Sequence, residues 1–174
     1  PFAPSLKWSW TSSNVSPGSV NVMATPAVID LNGDGIPDIV FPSYEALLGG
    51  GFGSNSRLRA LDGGTGAEMF TVTSATDNVA GLTQVAVGNL DDDPLPEIVG
   101  IHTSTTRLVT FEHDGTLKWL SAPIEANDWG GVALADLDRD GRTEIVVGRQ
   151  VVNRDGTLRW TGTGGRADGV HGGL

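Results

Sequence analysis

The chain has 174 residues, 39% of them hydrophobic, enough for about one domain with a sizeable core. A net charge of −10 argues against nucleic acid and anionic membranes as partners, and the absence of cysteine excludes disulfides and thiolate metal sites. No run of about 18 apolar residues crosses a membrane, and 25 glycines among short β-branched runs favour a turn-rich all-β fold over helices.

In chain order, "LKWSW" (6–10) reads as a short strand, and the opening "PFAPSLKWSW" lacks the apolar core of a secretion signal, as a mature secreted protein would. "TPAVID" alternates as a half-buried strand and runs into the acidic loop Asp30–Asp38, after which "DIVF" reads as a buried strand. The glycine-rich "LLGGGFGSNS" (47–56) reads as a long insertion without the Lys-Ser/Thr of a phosphate loop. "LRALDGGTGAEMF" (58–70) is strand, glycine turn, strand. The order then repeats twice: "QVAVGN", the loop Asn89–Glu97, "EIVG" and "LVTFEHDGTLKW" (108–119), followed by "VALAD", the loop Asp136–Glu144, "EIVVG" and "QVVNRDGTLRW" (150–160). Four antiparallel strands per unit, repeating every 40–50 residues or so, predict β-propeller blades. The blades are expected at about 22–71, 82–121 and 130–161, with 6–10 as the outer strand of a preceding blade and 167–174 as the first strand of a following one. Closed propellers have typically four to eight blades. The expectation is therefore part of a larger propeller, or a ring completed by another copy or chain.

The loops share one chemistry. Positions 1, 3 and 5 carry Asp30, Asn32 and Asp34 in the first, Asn89, Asp91 and Asp93 in the second, and Asp136, Asp138 and Asp140 in the third. Position 9 is always a carboxylate: Asp38, Glu97 or Glu144. The backbone carbonyls of Ile36, Leu95 and Arg142 at position 7 could add a further oxygen. Like charges this crowded repel unless a cation sits among them. An all-oxygen set suits Ca2+, which takes six to eight such ligands at ~2.3–2.6 Å, better than zinc or copper. Three divalent cations would offset six of the ten net negative charges. This is not an EF-hand, because position 12 (Phe41, Gly100 or Val147) falls inside a strand. Pro94 stands in the second loop where Gly35 and Gly141 allow a sharp turn in the others.

At "DLNGDGIPDIVF", "NLDDDPLPEIVG" and "DLDRDGRTEIVVG" the chain resembles the FG-GAP/VCBS repeats of integrin α-subunit-like propellers. The resemblance implies calcium in the loop between the first two strands of each blade and an extracellular or cell-surface setting. It also implies adhesion or sugar binding, or a place within secreted polysaccharide-degrading enzymes. The reading favours a non-catalytic calcium-binding module for a carbohydrate or extracellular protein, with the propeller portion of a secreted polysaccharide lyase or hydrolase as the alternative. No Gly-x-Ser-x-Gly elbow is present. His102, His113 and His171 are scattered and read as surface or hairpin residues, "GRADG" (165–169) resembles an Arg-Gly-Asp motif only loosely, and Trp129 is a candidate for stacking on a sugar.

Overall fold

The computed structural model describes residues 2–45, 55–127 and 129–164. The tail at 167–174, His171, "GRADG" and most of the glycine-rich insertion lie outside them. The described residues form strands and turns without a helix, in three antiparallel sheets, none of them closed. The first contains β1 (Ser19–Asn21), β2 (Ala27–Ile29), β3 (Asp38–Glu45), β4 (Arg57–Leu61) and β5 (Glu68–Thr71). The second runs through β6 (Ala86–Gly88), β7 (Glu97–Ile101), β8 (Leu108–Phe111) and β9 (Leu117–Leu120). The third runs through β10 (Val132–Ala135), β11 (Glu144–Val147), β12 (Gln150–Val152) and β13 (Leu158–Thr161). This is the blade architecture expected from the sequence. Each acidic loop closes the hairpin between the first two blade strands, pairing Ile29 with Asp38, Gly88 with Glu97 and Ala135 with Glu144.

The inner strand β6 neighbours both β2 and β10, so the second sheet sits between the other two at their inner edges. Side chains alternate across a strand with a period of two, and the second sheet uses both faces. Ile98, Val109 and Phe111 pack with Val40, Leu58 and Ala60 of the first sheet. Val99, Ile101 and Leu108 face Ile145, Val147 and Val152 of the third. Truncating one of the buried leucines or isoleucines here to alanine would cost about 2–5 kcal/mol. Strand β13, by contrast, is exposed along its length, with Trp160 at 51% exposure.

A second joint links the sheets at their outer hairpins. The aromatic of one outer strand lies on a turn glycine of the next sheet: Phe70 on Gly115 and Trp119 on Gly156. Gly115 and Gly156 both have φ +84°, and a Cβ would meet the ring at 2.6 Å and 3.0 Å respectively, so glycine is required twice over. Trp8 lies in the same way on Gly66, and its indole N–H donates to the Gly63 carbonyl (3.1 Å). The aromatic contact is thus made here as in the other sheets, but the strand expected at 6–10 does not form, since those residues have no ladder partner among the described residues.

The first sheet also gains a strand. β1 pairs with the distal half of β3, held by a Ser19–Ser43 hydroxyl bond (3.1 Å) and by the Asn21 amide donating to the Tyr44 carbonyl (3.1 Å). Behind it, the fully buried Arg59 donates to Ser13 (2.7 Å), Ser43 (2.8 Å) and Glu68 (2.5 Å), and to the carbonyls of Val15 (2.9 Å) and Ser19 (3.1 Å). It also lies 5.3 Å from the ring centre of Trp10. This single side chain ties residues 10–19 to the sheet.

Candidate metal centre

The three loops are built on one latch. The position-9 carboxylate is buried and accepts the backbone N–H of position 2. The bonds are Leu31 to Asp38 (3.1 Å), Leu90 to Glu97 (2.6 Å) and Leu137 to Glu144 (2.9 Å). The position-5 carboxylate accepts the N–H of position 7, from Ile36 (2.7 Å), Leu95 (2.8 Å) and Arg142 (2.8 Å). These are Asx turns, in which a short carboxylate closes its own backbone.

The first and third loops share more. Gly35 (φ +84°) and Gly141 (φ +85°) donate their N–H groups to the position-1 carboxylates Asp30 (2.8 Å) and Asp136 (3.0 Å). Position 4 is also left-handed in both, at Gly33 (φ +77°) and Arg139 (φ +64°). For a side chain such as Arg139 this conformation costs about 1–2 kcal/mol.

The second loop departs at each of these points. Pro94 has no N–H to donate and a φ fixed near −65°. Asn89, at position 1, turns its amide donor onto the Asp93 carbonyl. Asn89 therefore presents a donor where Asp30 and Asp136 present acceptors.

The acids converge unequally. Asp91, Asp93, Glu97 and Glu112 place carboxylate oxygens within 4.8 Å of one another, as do Asp136, Asp138 and Glu144. In the first loop the Asp30 and Asp34 carboxylates accept loop N–H groups, and Asp38 also accepts the Gly63 N–H (3.3 Å) from the turn between β4 and β5. The oxygen donors of the first and third loops fit a hard divalent cation, and those of the second would fit one with the Asn89 amide turned so that its oxygen faces the loop.

Two clusters contain a basic head. Lys118 Nζ lies 2.6 Å from Asp91, 2.7 Å from Glu112 and 3.5 Å from Glu97. Arg159 lies 2.5 Å from Asp138 and 2.6 Å from Glu144. The charges shift accordingly. Burial pulls Lys118 down, but the hydrogen bonds to Asp91 and Glu112 outweigh it and hold the ammonium above the usual lysine value. The same hydrogen bond holds Asp91 below the usual carboxylate range, whereas burial pushes Glu97 up. Arg159 likewise lowers Asp138. Beside the third loop, Asp140, Arg142, Glu144, Arg154 and Arg159 line an open cleft of ≈ 540 Å³.

Sequence reasoning missed Glu112, Lys118 and Arg159. Lys118 and Arg159 stand before the tryptophan in "LKW" and "LRW", and nothing in those strands alone shows which side chain faces the loop. Of the other candidates, His102 serves the fold, with its ring nitrogens on the Thr76 carbonyl (2.7 Å) and Ser104 (2.8 Å). His113 sits in the turn between β8 and β9, and Trp129 stands 44% exposed before β10.

Residues 89–147 match the family model described as FG-GAP-like repeat, in agreement with the resemblance read from the loops. No curated protein matches the chain. Among solved structures, the Vibrio cholerae biofilm matrix protein Bap1 is similar with a TM-score of 0.60 and 24% identity, over 90% of this chain and 33% of that one. Rhamnogalacturonan lyase YesW aligns with a TM-score of 0.57 and 22% identity, over 84% of this chain and 32% of that one. The Bacillus licheniformis rhamnogalacturonan lyase PL11 gives the same values. These likenesses establish the fold, and the chain spans about a third of the length of each of these neighbours. Among the described residues no helix is long and apolar enough to cross a membrane.

Proposed function

We propose that the chain is a calcium-binding, non-catalytic part of an extracellular β-propeller, serving as a module for binding carbohydrate or protein. The observation that carries the reading is the repeated loop, all-oxygen in each copy and latched by a buried position-9 acid. Asp30, Asn32, Asp34 and Asp38 would hold the first ion. Asn89, Asp91, Asp93 and Glu97 would hold the second, and Asp136, Asp138, Asp140 and Glu144 the third, with the carbonyls of Ile36, Leu95 and Arg142 completing the sets. The ion supplies charge compensation and rigidity to the loop rather than reactivity.

The extracellular setting is supported by the FG-GAP-like match and by a fold shared with a biofilm matrix protein. The exposed β13 and Trp160 support a further blade, from the same polypeptide or another copy, beside the third sheet. Calcium titration by calorimetry is the first test: heat saturating at the loops supports the reading, and no binding at millimolar calcium overturns it. A glycan array, with Trp129→Ala as a control, tests the ligand class.

The likeness to two rhamnogalacturonan lyases favours a second reading, the propeller portion of a polysaccharide lyase. Release of unsaturated products from pectic substrates by the chain would support it.

A further inference from the structure

One position in the repeat decides what sits beside each acidic loop. In every sheet the register slips by one residue between the last two strands. Ala60 faces Phe70 and Leu61 faces Glu68, which leaves Met69 unpaired. Thr110 faces Trp119 and Phe111 faces Leu117, which leaves Lys118 unpaired. Val151 faces Trp160 and Val152 faces Leu158, which leaves Arg159 unpaired. A bulge of this kind re-aims the extra side chain away from the ladder. In the second and third sheets that side chain is basic and reaches the acidic cluster, with three carboxylates within 3.5 Å of Lys118 and two within 2.6 Å of Arg159. In the first sheet Met69 packs on the hydrophobic core, and no described ion pair reaches Asp30, Asp34 or Asp38.

We infer that the bulge residue sets how strongly each loop depends on an external cation. Lys118 and Arg159 are resident counter-cations of the second and third loops, and the first loop, whose sheet carries apolar Met69 at the bulge, relies on a divalent ion. The inference rests on the calcium reading and adds an order of filling. The first loop fills first. The second fills last, because calcium there must displace Lys118 from Asp91 and Glu97, and because Asn89 and Pro94 have already altered that loop. The third loop lies between, keeping the Gly141 geometry of the first but carrying Arg159.

The test exchanges the bulge residues in the full chain: Met69→Lys, Lys118→Met and, as a conservative control, Lys118→Arg. Melting in EDTA at low ionic strength is the readout that needs no metal. Lys118→Met should melt lower than the parent, Lys118→Arg close to it, and Met69→Lys higher. Calorimetry with calcium alone is the second readout. Breaking or adding charge-assisted hydrogen bonds of this kind should raise the second loop's affinity about tenfold in Lys118→Met and lower the first loop's about tenfold in Met69→Lys. Unchanged melting in EDTA for both exchanges overturns the resident-cation role. Three equivalent calcium sites indifferent to both exchanges overturn the order of filling and leave the calcium reading intact. EDTA shifts as described without calcium binding in any variant uphold the resident cations and refute the calcium reading.

Discussion

The first and second sheets are the same four strands with their cation in different places. In the first, the basic residue is on the ladder: Arg59 is fully buried, pairs with Glu68 and gathers the N-terminal segment, while the bulge holds Met69, packed on the core. In the second, the matching ladder positions hold Val109 and Leu117, and the basic residue has moved to the bulge as Lys118. A repeat can thus keep its backbone while deciding whether a charge supports its face or its loop. The face solution fixes residues 10–19 in place, whereas the loop solution supplies from within a charge that calcium would otherwise bring.

The largest effect should come from removing the face cation. Arg59→Val leaves the partly exposed Glu68 and several buried carbonyls without their donor, and each unsatisfied buried group costs about 1–3 kcal/mol. Urea unfolding would measure it. Arg59→Val/Glu68→Leu copies the second sheet and should recover part of the loss. No recovery would mean that the carbonyls of residues 15–19, rather than the ion pair, set the cost.

Calcium removal should come next. Each filled site contributes about 2.7 kcal/mol at 100 times Kd, and at about 2–4 °C per kcal/mol this is a melting shift of about 5–10 °C for one site. Asp34→Ala should remove the larger part of the calcium-dependent rise in Tm, and Asp91→Ala should leave most of it. Equal losses from the two variants would erase the contrast between the loops.

The smallest effect is a pH dependence in the first sheet. Burial raises Glu68, but hydrogen bonds from Thr71, Ser13 and Arg59 outweigh it, so its folded pKa lies below the ordinary value. A depressed carboxylate contributes stability in full above its unfolded pKa of ~4.3 and loses it as pH falls through the folded value. Glu68→Gln should flatten the acid limb of the stability curve below pH ~4.3, read as Tm against pH in EDTA.

The blades were legible because period-2 alternation, acidic loops and glycine turns are local signals. The extra strand β1 was not, because "SVN" lacks an apolar pattern and its pairing rests on polar contacts to Ser43 and Tyr44. Arg59, in "LRAL", is fully buried beneath the segment 13–19, whose residues accept its hydrogen bonds, and no local pattern marks that burial. Loop membership was legible for positions 1, 3, 5 and 9. Glu112 and Lys118 were not, since a bulge shifts which side chain faces the loop, and a one-residue slip leaves no mark in the sequence pattern. Pro94 did signal that the second loop is different, and its missing N–H is one physical reason.

The joint in which Phe70 lies on Gly115 and Trp119 on Gly156 has a direction. Each unit carries a plug at its trailing strand and a socket in its hairpin turn, so it is complementary to a copy of itself. Lineages can lengthen or shorten such an array by whole-unit duplication or loss without inventing a new surface, provided that the cut preserves one plug and one socket. The plug tolerates exchange between phenylalanine and tryptophan, as positions 70 and 119 show. The socket does not tolerate a side chain, so the glycine is the residue that such an array must carry unchanged through every copy.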